Sequence, residues 1–490
     1  MPDIMTLVFQ ILLMFNILFI ILIVFVERRN PTSTWAWAIV ITFVPYIGFL
    51  FYLMFGLESR KHNVFMQKAV KDEETFEKFQ KLDYNSLRFL KNHQQRVDLK
   101  DVIRSRGVER LNDMVALNYK SAQSAFTNNN SVKIYTEGEE KFDALLSDIK
   151  NAKRYIHMQY YIVRDSDIGR KIINALAQKA REGVTVRFFI DGMGCILTPK
   201  KFYKPLVEAG GILGIFQPPH FARLNFRNHR KIAVIDGTTG YIGGLNIGDE
   251  YLGQSKRFGY WRDTHLRIYG DAVKQLELRF MMDWNFAEKS KPIEFNEDDF
   301  PNVVSIQNGV GMQIVSGGPD TKWSNIHFGY SKMIFEADKS IFIVTPYFVP
   351  DDTVFKALRI AALSGIDVRI MIPAHPDHPF VYWASLSYLG ELLNAGVKCY
   401  KYEKGFVHSK MIVIDSVVSS VGTANMDLRS FDLNFEVNSF IYDEKISKRL
   451  ESVFFADIKD STEITRASYG ARSGFTRFKE AISRLISPLL

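Results

Sequence analysis

His229-Arg230-Lys231-Ile232-Ala233-Val234-Ile235-Asp236 is followed, after six residues, by Gly243-Gly244-Leu245-Asn246. His408-Ser409-Lys410-Met411-Ile412-Val413-Ile414-Asp415 is followed, again after six residues, by Gly422-Thr423-Ala424-Asn425. Every spacing of the first stretch recurs in the second. At this composition His-x-Lys-x4-Asp arises by accident about 0.04 times per chain, so two copies with the same Gly-x-x-Asn sequel are a duplicated motif.

The spacing carries physical content. Ile232 to Ile235 is apolar and mostly β-branched, which predicts a strand. On a strand, residues two apart project from one face, so each His lies beside a Lys. One face then offers a nucleophile or acid next to a fixed cation. Asp236 and Asp415 fall at the strand end on the other parity and read as structural anchors rather than catalytic bases. The glycines let backbone approach closely, and Asn246 and Asn425 can donate to an anionic oxygen. Two such faces brought together place two His, two Lys and two Asn around one site, a set that suits a phosphate.

The motif sits in a duplicated frame. Val132 to Tyr135 predicts a strand, and Glu140 to Lys150 a helix with Phe142, Leu145, Leu146 and Ile149 inward. The strand Arg154 to Val163 aligns with Ser340 to Val349, and the helix Ile168 to Arg181 with Thr353 to Leu363. Each helix ends on a glycine, Gly183 or Gly365, and runs into an apolar strand, Val184 to Ile190 or Ile366 to Ile372. Ala209-Gly210 matches Ala395-Gly396. Strand–helix–strand units in this order predict two α/β halves with mixed sheets.

The two motifs resemble the HKD signature of the phospholipase D superfamily. Asn30-Pro31-x-Ser33-x-Trp35-x-Trp37 and Asn425-Met426-Asp427-Leu428-Arg429-Ser430-Phe431 resemble bacterial cardiolipin synthases of the phospholipase D type. The resemblance covers essentially the whole chain. It implies an α/β fold of two duplicated α/β/α halves with mixed sheets that form one pseudo-twofold active site, preceded by a two-span transmembrane helical hairpin. It implies catalytic His229, Lys231, Asp236, His408, Lys410 and Asp415, with Asn246 and Asn425 on the phosphate. It further implies a later acid orienting each His: Glu436 in the second half and, at a spacing six residues longer and as Asp rather than Glu, Asp263 in the first. One His would attack phosphorus and the other protonate the leaving alcohol; the symmetry of the motifs leaves the assignment open, and family habit makes His229 the nucleophile. The implied reaction joins two phosphatidylglycerol molecules into cardiolipin and glycerol. It calls for no metal and no cofactor, since the lysines supply positive charge.

Outward from the motifs, the chain divides into an apolar head and a basic body. Of 490 residues, 62 are Lys or Arg and 54 Asp or Glu, a net charge of +8. Residues 1–57 carry only Asp3, Glu27, Arg28 and Arg29, which cancel. Ile4 to Val26 and Trp35 to Phe55 are apolar runs whose helices would reach about 34 and 31 Å, enough to span a bilayer. Arg60, Lys61, Lys68 and Lys71 after the second run, against Arg28 and Arg29 in the turn, place the body in the cytoplasm by the positive-inside rule. The expected division is 1–57 membrane hairpin, 58–130 charged helical connector, 131–310 first half and 311–490 second half. The connector reads as a solvated stalk with one packing face that includes Phe76, Phe79, Leu87 and Leu90, closed by the loop Asn128-Asn129-Asn130.

Two Cys exclude a disulfide scaffold and Cys-x-x-Cys chemistry. Arg223, Arg227 and Arg230 are either headgroup contacts or a solvated basic loop. His375-x-x-His378 lacks a third ligand nearby and reads as a loop at the site rim. Tyr161 and Tyr347 read as core aromatics, and Gly317-Gly318-Pro319-Asp320 as a turn. In the tail, Phe475, Phe478, Ile482, Leu485 and Leu489 stand at helical spacing against Arg477, Lys479 and Arg484; it either lies on an anionic membrane or docks on the body. A hydrolytic phospholipase D shares every catalytic residue, and a nuclease of the superfamily shares the basic charge but needs no bilayer hairpin. The expected partners are therefore phosphatidylglycerol, cardiolipin and an anionic membrane, not nucleic acid.

Overall fold

The computed structural model describes residues 6, 10, 14–21, 31–44, 47–52, 59–82, 108–217 and 225–487. Near the N-terminus, helices α1 (Pro31–Phe43) and α2 (Ile47–Phe51) cover most of the described part of the second apolar run. Among the described residues no helix is long and apolar enough to cross a membrane. Of the run from Trp35 to Phe55, residues 45, 46 and 53–55 lie outside the described residues. Pro45, which has no N–H and clashes with the preceding turn, stands in the interval. Helical hydrogen bonds flank it, Val44 N to Val40 O at 2.9 Å and Gly48 N to Val44 O at 2.7 Å. Most of the first run lies outside the described residues. Its Phe19 packs edge-on against Phe49 at 4.5 Å and Tyr52 at 5.6 Å. Phe15, Ile17, Leu18, Trp35, Phe43 and Leu50 face outward.

Two helices connect head and body, α3 (Ser59–Leu82) and α4 (Val108–Ala122). A solvated stalk with one packing face was expected, and α3 is pinned along one side. Phe65, Phe76 and Phe79 are buried in an aromatic cluster with Phe226, Trp284, Phe300 and Phe435. Leu87 and Leu90 lie outside the described residues. Lys68 is 1% exposed and bonds Asp72 and Asp320 at 2.6 Å each and Asp283 at 3.2 Å. The turn Gly317–Asp320 therefore carries a buried charge. In α4, the Asn118 side chain donates to Gln313 Oε1 at 3.3 Å and to the Tyr442 hydroxyl at 3.2 Å.

The first half holds β1 (Asn130–Tyr135), α5 (Gly138–Asn151), β2 (Tyr155–Tyr160), α6 (Asp167–Arg181), β3 (Thr185–Asp191), β4 (Ile212–Phe216), β5 (Ile232–Ile235), β6 (Thr239–Gly243), β7 (Tyr260–Arg262), β8 (His265–Gly270) and α7 (Val273–Ala287). The second holds β9 (Gly311–Gly317), α8 (Asn325–Phe335), β10 (Ser340–Val344), β11 (Phe348–Val349), α9 (Asp352–Leu363), β12 (Asp367–Pro373), α10 (Pro379–Asn394), β13 (Lys398–Tyr402), β14 (Gly405–Val407), β15 (Met411–Ile414), β16 (Val418–Gly422), β17 (Met426–Asp427), β18 (Glu436–Tyr442), α11 (Glu444–Lys459), β19 (Ser461–Ile464) and α12 (Gly474–Ile486). The first sheet runs β1-β8-β6-β5-β2-β3-β4. The second runs β9-β18-β16-β15-β10-β12-β13, with β19 added at its edge. The order is the same, with the β2/β3/β4 and β10/β12/β13 pairs parallel and the rest antiparallel. Asn130 belongs to β1 rather than to the expected loop; its side chain donates to the Thr127 and Val310 carbonyls at 3.2 and 2.9 Å.

Helices α5 and α6 cover one face of the first sheet, and α8, α9 and α10 one face of the second. The other faces meet in a shared core. There Ile232, Val234, Leu266 and Ile268 lie with Met312, Val344, Met411 and Val413, flanked by Val273 and Leu276 of α7 and by Leu450 and Phe454 of α11. The duplicated helices α6 and α9 start on Ser166 and Asp351, whose side chains accept from Gly169 N and Val354 N, as N-caps do. They end before Gly183 and Gly365, whose φ of 88° and 92° suit glycine.

Replacing Lys68 with Met would leave Asp72, Asp283 and Asp320 with less positive charge in a buried setting. Breaking such a pair by removing one partner costs about 3–5 kcal/mol. We expect Lys68→Met to lower the midpoint of thermal unfolding clearly, and Lys71→Met, on the same helix, to leave it unchanged.

Candidate active site

The sheets bring the duplicated motifs together through two short backbone crossings. In the first, β14 pairs in parallel with β7, in register Gly405–Tyr260, Phe406–Trp261 and Val407–Arg262. The next residues on the two strands are His408 and Asp263. In the second, Asn228 bridges Phe435 in parallel, and the next residues are His229 and Glu436. His229 N donates to Phe435 O at 2.9 Å, and His408 N to Arg262 O at 2.7 Å.

Each histidine therefore meets the acid of the opposite half. His229 Nδ1 lies 2.9 and 3.0 Å from the two Glu436 carboxylate oxygens. His408 Nδ1 lies 2.9 Å from Asp263 Oδ2. This corrects the same-half pairing expected from the sequence. The reason is the register: within a half the acid lies on a neighbouring stretch of chain, but the crossing strand delivers it to the other motif. The carboxylates fix the tautomer with the proton on Nδ1 and leave Nε2 for chemistry. Burial opposes ionisation of both acids, yet their histidine and lysine partners outweigh it and hold Asp263 and Glu436 below the usual carboxylate range.

Lys231 Nζ donates to His229 O and Lys410 Nζ to His408 O, both at 2.5 Å. Lys410 Nζ also lies 2.9 Å from His408 Nδ1; among the described residues Lys231 makes no such contact with His229 Nδ1. Burial lowers both imidazoles to about 4, in each case with help from nearby lysine charge. Lys410 acts on His229 and Lys231 on His408, so the two motifs share one electrostatic site. Burial brings Lys231 down to about 7 and Lys410 to about 8, against the pull of Glu436 and Asp263.

The other expected site residues fall into two groups. Asp236 accepts from the backbone N–H groups of Lys153, Arg154 and Tyr155 at 2.8–3.1 Å. Asp415 accepts from those of Asp338, Lys339 and Ser340 at 2.7–2.8 Å. Both take a left-handed φ, 53° and 54°, at the far ends of β5 and β15. They anchor the strands and stand away from the histidines, which corrects their place among the catalytic residues. Asn246 and Asn425 are buried. Asn246 is partly engaged: Oδ1 accepts from Ile162 N at 3.1 Å and Nδ2 donates to the Tyr251 hydroxyl at 3.2 Å. Asn425 Oδ1 is buried without a partner.

Several neighbours of the histidines were not legible as such. Sheet pairing ends at Tyr160, and Tyr161 turns into the site, edge-on to His229 at 4.9 Å with Lys231 Nζ 5.4 Å from its ring. Tyr161 is thus a site wall, not core; its exact duplicate, Tyr347, donates to Asp377 on the rim loop. Trp261 and Phe406 pack on His408 at 5.2 and 5.9 Å; the crossing of β7 and β14 makes them neighbours, which no local pattern announces. Gly244 lies against Asp263, where a Cβ would meet the carboxylate at 2.0 Å.

Arg230 proves structural. It is fully buried, paired to Asp283, and donates to Glu436 O and Gly317 O at 3.0 Å each. Arg223 lies outside the described residues, while burial raises the Tyr161 phenol and Arg227 and Arg429 only partly oppose that rise. His378 directly precedes α10 without a side-chain capping bond, its ring 6.0 Å from that of Tyr347. Among the described residues no group of three or more His, Cys, Asp or Glu is placed to hold a metal ion.

Duplicated halves of this build, each with its His-x-Lys-x4-Asp strand, mark a phospholipase D-like protein. Residues 145–284 and 330–458 match the family described as cardiolipin synthase, PLD-like domain. Residues 14–56 match the phospholipase D-nuclease N-terminal family. The chain is 47% identical to a cardiolipin synthase of Oceanobacillus iheyensis over 97% of both chains. It is 48% identical to the major cardiolipin synthase of Bacillus subtilis, again over 97% of each. The crystal structure of phosphatidylserine synthase from Haemophilus influenzae superposes with a TM-score of 0.59 at 15% identity, covering 77% of this chain and 97% of that one, a likeness of fold. The chain belongs to the cardiolipin synthase family of the phospholipase D superfamily.

Gly244→Ala should push Asp263 off His408. A misplacement of about 1 Å in such a pair costs about 100-fold in turnover. Gly470→Ala, where the added Cβ meets nothing within 4 Å, should leave turnover unchanged in the same assay.

Proposed function

We propose that this chain transfers a phosphatidyl group from one phosphatidylglycerol to the glycerol headgroup of a second, giving cardiolipin and free glycerol. The observation that carries the reading is the pair of crossed His–carboxylate contacts, each beside a buried lysine, in a member of the cardiolipin synthase family. His229 Nε2 attacks phosphorus, an N–P bond forms, and the P–O bond to glycerol breaks. His408 gives its proton to the departing glycerol oxygen. It then takes the proton from a hydroxyl of the second phosphatidylglycerol, whose oxygen attacks phosphorus and displaces His229. Lys231, Lys410, Asn246 and Asn425 hold the phosphoryl oxygens.

The assignment of roles follows from an asymmetry. Glu436 faces His229 Nδ1 with both oxygens, which favours a nucleophile that becomes cationic on attack. Lys410 presses on His408 Nδ1, which makes that imidazolium the readier proton donor. In the free site burial keeps both rings neutral at pH 7, as a nucleophile requires. A bound phosphodiester brings one negative charge among two histidines and two lysines, which raises the imidazoles and lets His408 carry the proton.

The same reading divides the chain at residues 57, 130 and 310 and gives residues 1–57 the role of a two-span membrane hairpin. Its support is the exposure of Phe15, Leu18, Trp35, Phe43 and Leu50 among the described residues and the Phe19 contacts between the two runs. The basic residues that follow the second run put the catalytic body on the cytoplasmic side.

Purified protein in phosphatidylglycerol vesicles should release glycerol and cardiolipin in equal amounts; phosphatidic acid as the main product would replace the reading with hydrolysis. His229→Ala and His408→Ala should each abolish turnover, and His408→Ala should still accumulate phosphatidyl on His229 when glycerol departure is slow but not absent. The kcat/KM profile of the free enzyme should fall below about pH 4 as His229 protonates. It should decline above that pH as His408, the acid, loses its proton, and fall more steeply above about pH 7–8 as Lys231 and Lys410 lose their charge. Lys231→Arg should move the alkaline limb upward.

A further inference from the structure

The C-terminal helix α12 is docked the opposite way round from an ordinary surface helix. Its buried residues are polar: Glu480 and Ser483, with Ser487 just beyond its end. They face α10, where the Tyr388 hydroxyl lies 3.3 Å from Ser487 Oγ and Glu391 pairs with Arg484. Glu480 also pairs with Arg472. Gly390 of α10 gives room to Tyr469 just before α12, since a Cβ there would overlap the tyrosine ring.

The apolar stripe points outward. Phe475, Phe478, Ile482 and Leu485 are 70, 61, 40 and 47% exposed. A helix that packs on a protein core turns such a stripe inward. Exposing it to water forfeits its burial, and a contiguous exposed apolar patch marks an interaction surface. The stripe also continues toward the catalytic centre. Lys479 Nζ lies 4.8 Å from the Phe475 ring and 4.6 Å from that of Trp383 in α10. Trp383 packs edge-on to Phe380, which is itself half exposed. Phe380 is the second residue of α10, directly after the rim loop whose Asp377 holds Tyr347 and accepts from Arg257 of the other half. An exposed apolar track thus runs from the tail to the rim of the site.

We infer that α12 and the first turn of α10 form a second membrane contact, seating the apolar track in an anionic bilayer so that the rim of the site opens onto the lipid surface. The charge fits this occupant. Arg477 and Lys479 flank the stripe, and among the described residues neither forms an ion pair with a carboxylate. A basic rim beside an apolar face is what holds an interfacial helix on anionic lipid, each nearby cation contributing about 1 kcal/mol. A second copy of the chain would gain the apolar area but not the charge complementarity. The inference rests on the proposed lipid transfer for its purpose, and its test reads position independently of turnover.

The native cysteines, Cys195 and Cys399, are buried, so Ile482→Cys can be labelled selectively in the full chain with a polarity-sensitive fluorophore. Lys448→Cys, an exposed position on α11, which packs on the opposite sheet face, serves as the reference. In proteoliposomes of phosphatidylglycerol, the label at 482 should shift to the blue. Spin labels on the upper acyl chain should quench it by about half, since an interfacial helix sits about 5–10 Å into the headgroup boundary. The label at 448 should do neither. A label at 482 that stays water-like would overturn the inference. So would one that is shielded but not quenched by lipid and cross-links to a second 482, which would give the face to self-association. A Phe478→Glu/Leu485→Glu double variant should lose about tenfold in turnover on vesicles and keep its turnover on detergent-dispersed phosphatidylglycerol. Equal turnover on vesicles, or equal loss in both, would count against it. A protein that makes no cardiolipin but shows the quenching would sink the proposed reaction and leave the membrane contact standing.

Discussion

The structure depends on one constraint: a histidine can be oriented only by a carboxylate that the other half supplies. Two short parallel crossings set this, β7 with β14 and Asn228 with Phe435, each ending one residue before the pair it creates. Backbone hydrogen bonds fix the register, so the side-chain geometry is inherited from the sheet rather than negotiated by the side chains. The shared core between the sheets holds both crossings in place, and Asp236 and Asp415 tie the far ends of the motif strands to β2 and β10. What looks in sequence like one catalytic string, His to Asp, is a catalytic end and an anchoring end of the same strand.

Charge is handled in two different ways around this frame. At the site, burial shifts the lysines and histidines toward neutrality although Glu436 and Asp263 stand beside them. The anionic phosphodiester of the proposed reaction would act against that shift. Behind the site, Lys68, Arg279 and Arg230 meet Asp72, Asp283 and Asp320 in a closed set. That set joins the connector helix to the residue between His229 and Lys231. Such a network adds little net stability over an apolar substitute, but breaking it is costly, so it fixes where the connector meets the body.

The sequence made the duplication, the strand carrying each motif and the capped helices α6 and α9 readable, because periodicity and capping are local. The four functional groups His229, Lys231, His408 and Lys410 were readable for the same reason, as a repeated spacing. Partnership was not. Glu436 and Asp263 were picked out, but assigned to the wrong histidines, since the crossing is a long-range contact with no local signal. Tyr161 was read as core because its strand was expected to run on to Val163; pairing stops at Tyr160. The buried face of α3 was under-read because Lys68 looks like any solvated lysine until Asp283 and Asp320 arrive from hundreds of residues away. Hydropathy marks Trp35 to Phe55 as one apolar run and takes no account of Pro45, which lacks the N–H that a helix interior uses.

The crossed pairs also have the symmetry of a two-subunit interface, in which residue i touches j and j touches i. In a homodimer of identical halves both pairs would have to be the same. Here the halves lie on one chain, so each pair is free to change alone. One uses the longer Glu436 with Thr423 alongside; the other uses the shorter Asp263 pressed against Gly244. Covalent fusion of the halves is thus what permits two chemically equivalent histidines to become unequal, as a reaction in which one attacks phosphorus and the other moves the proton would use them.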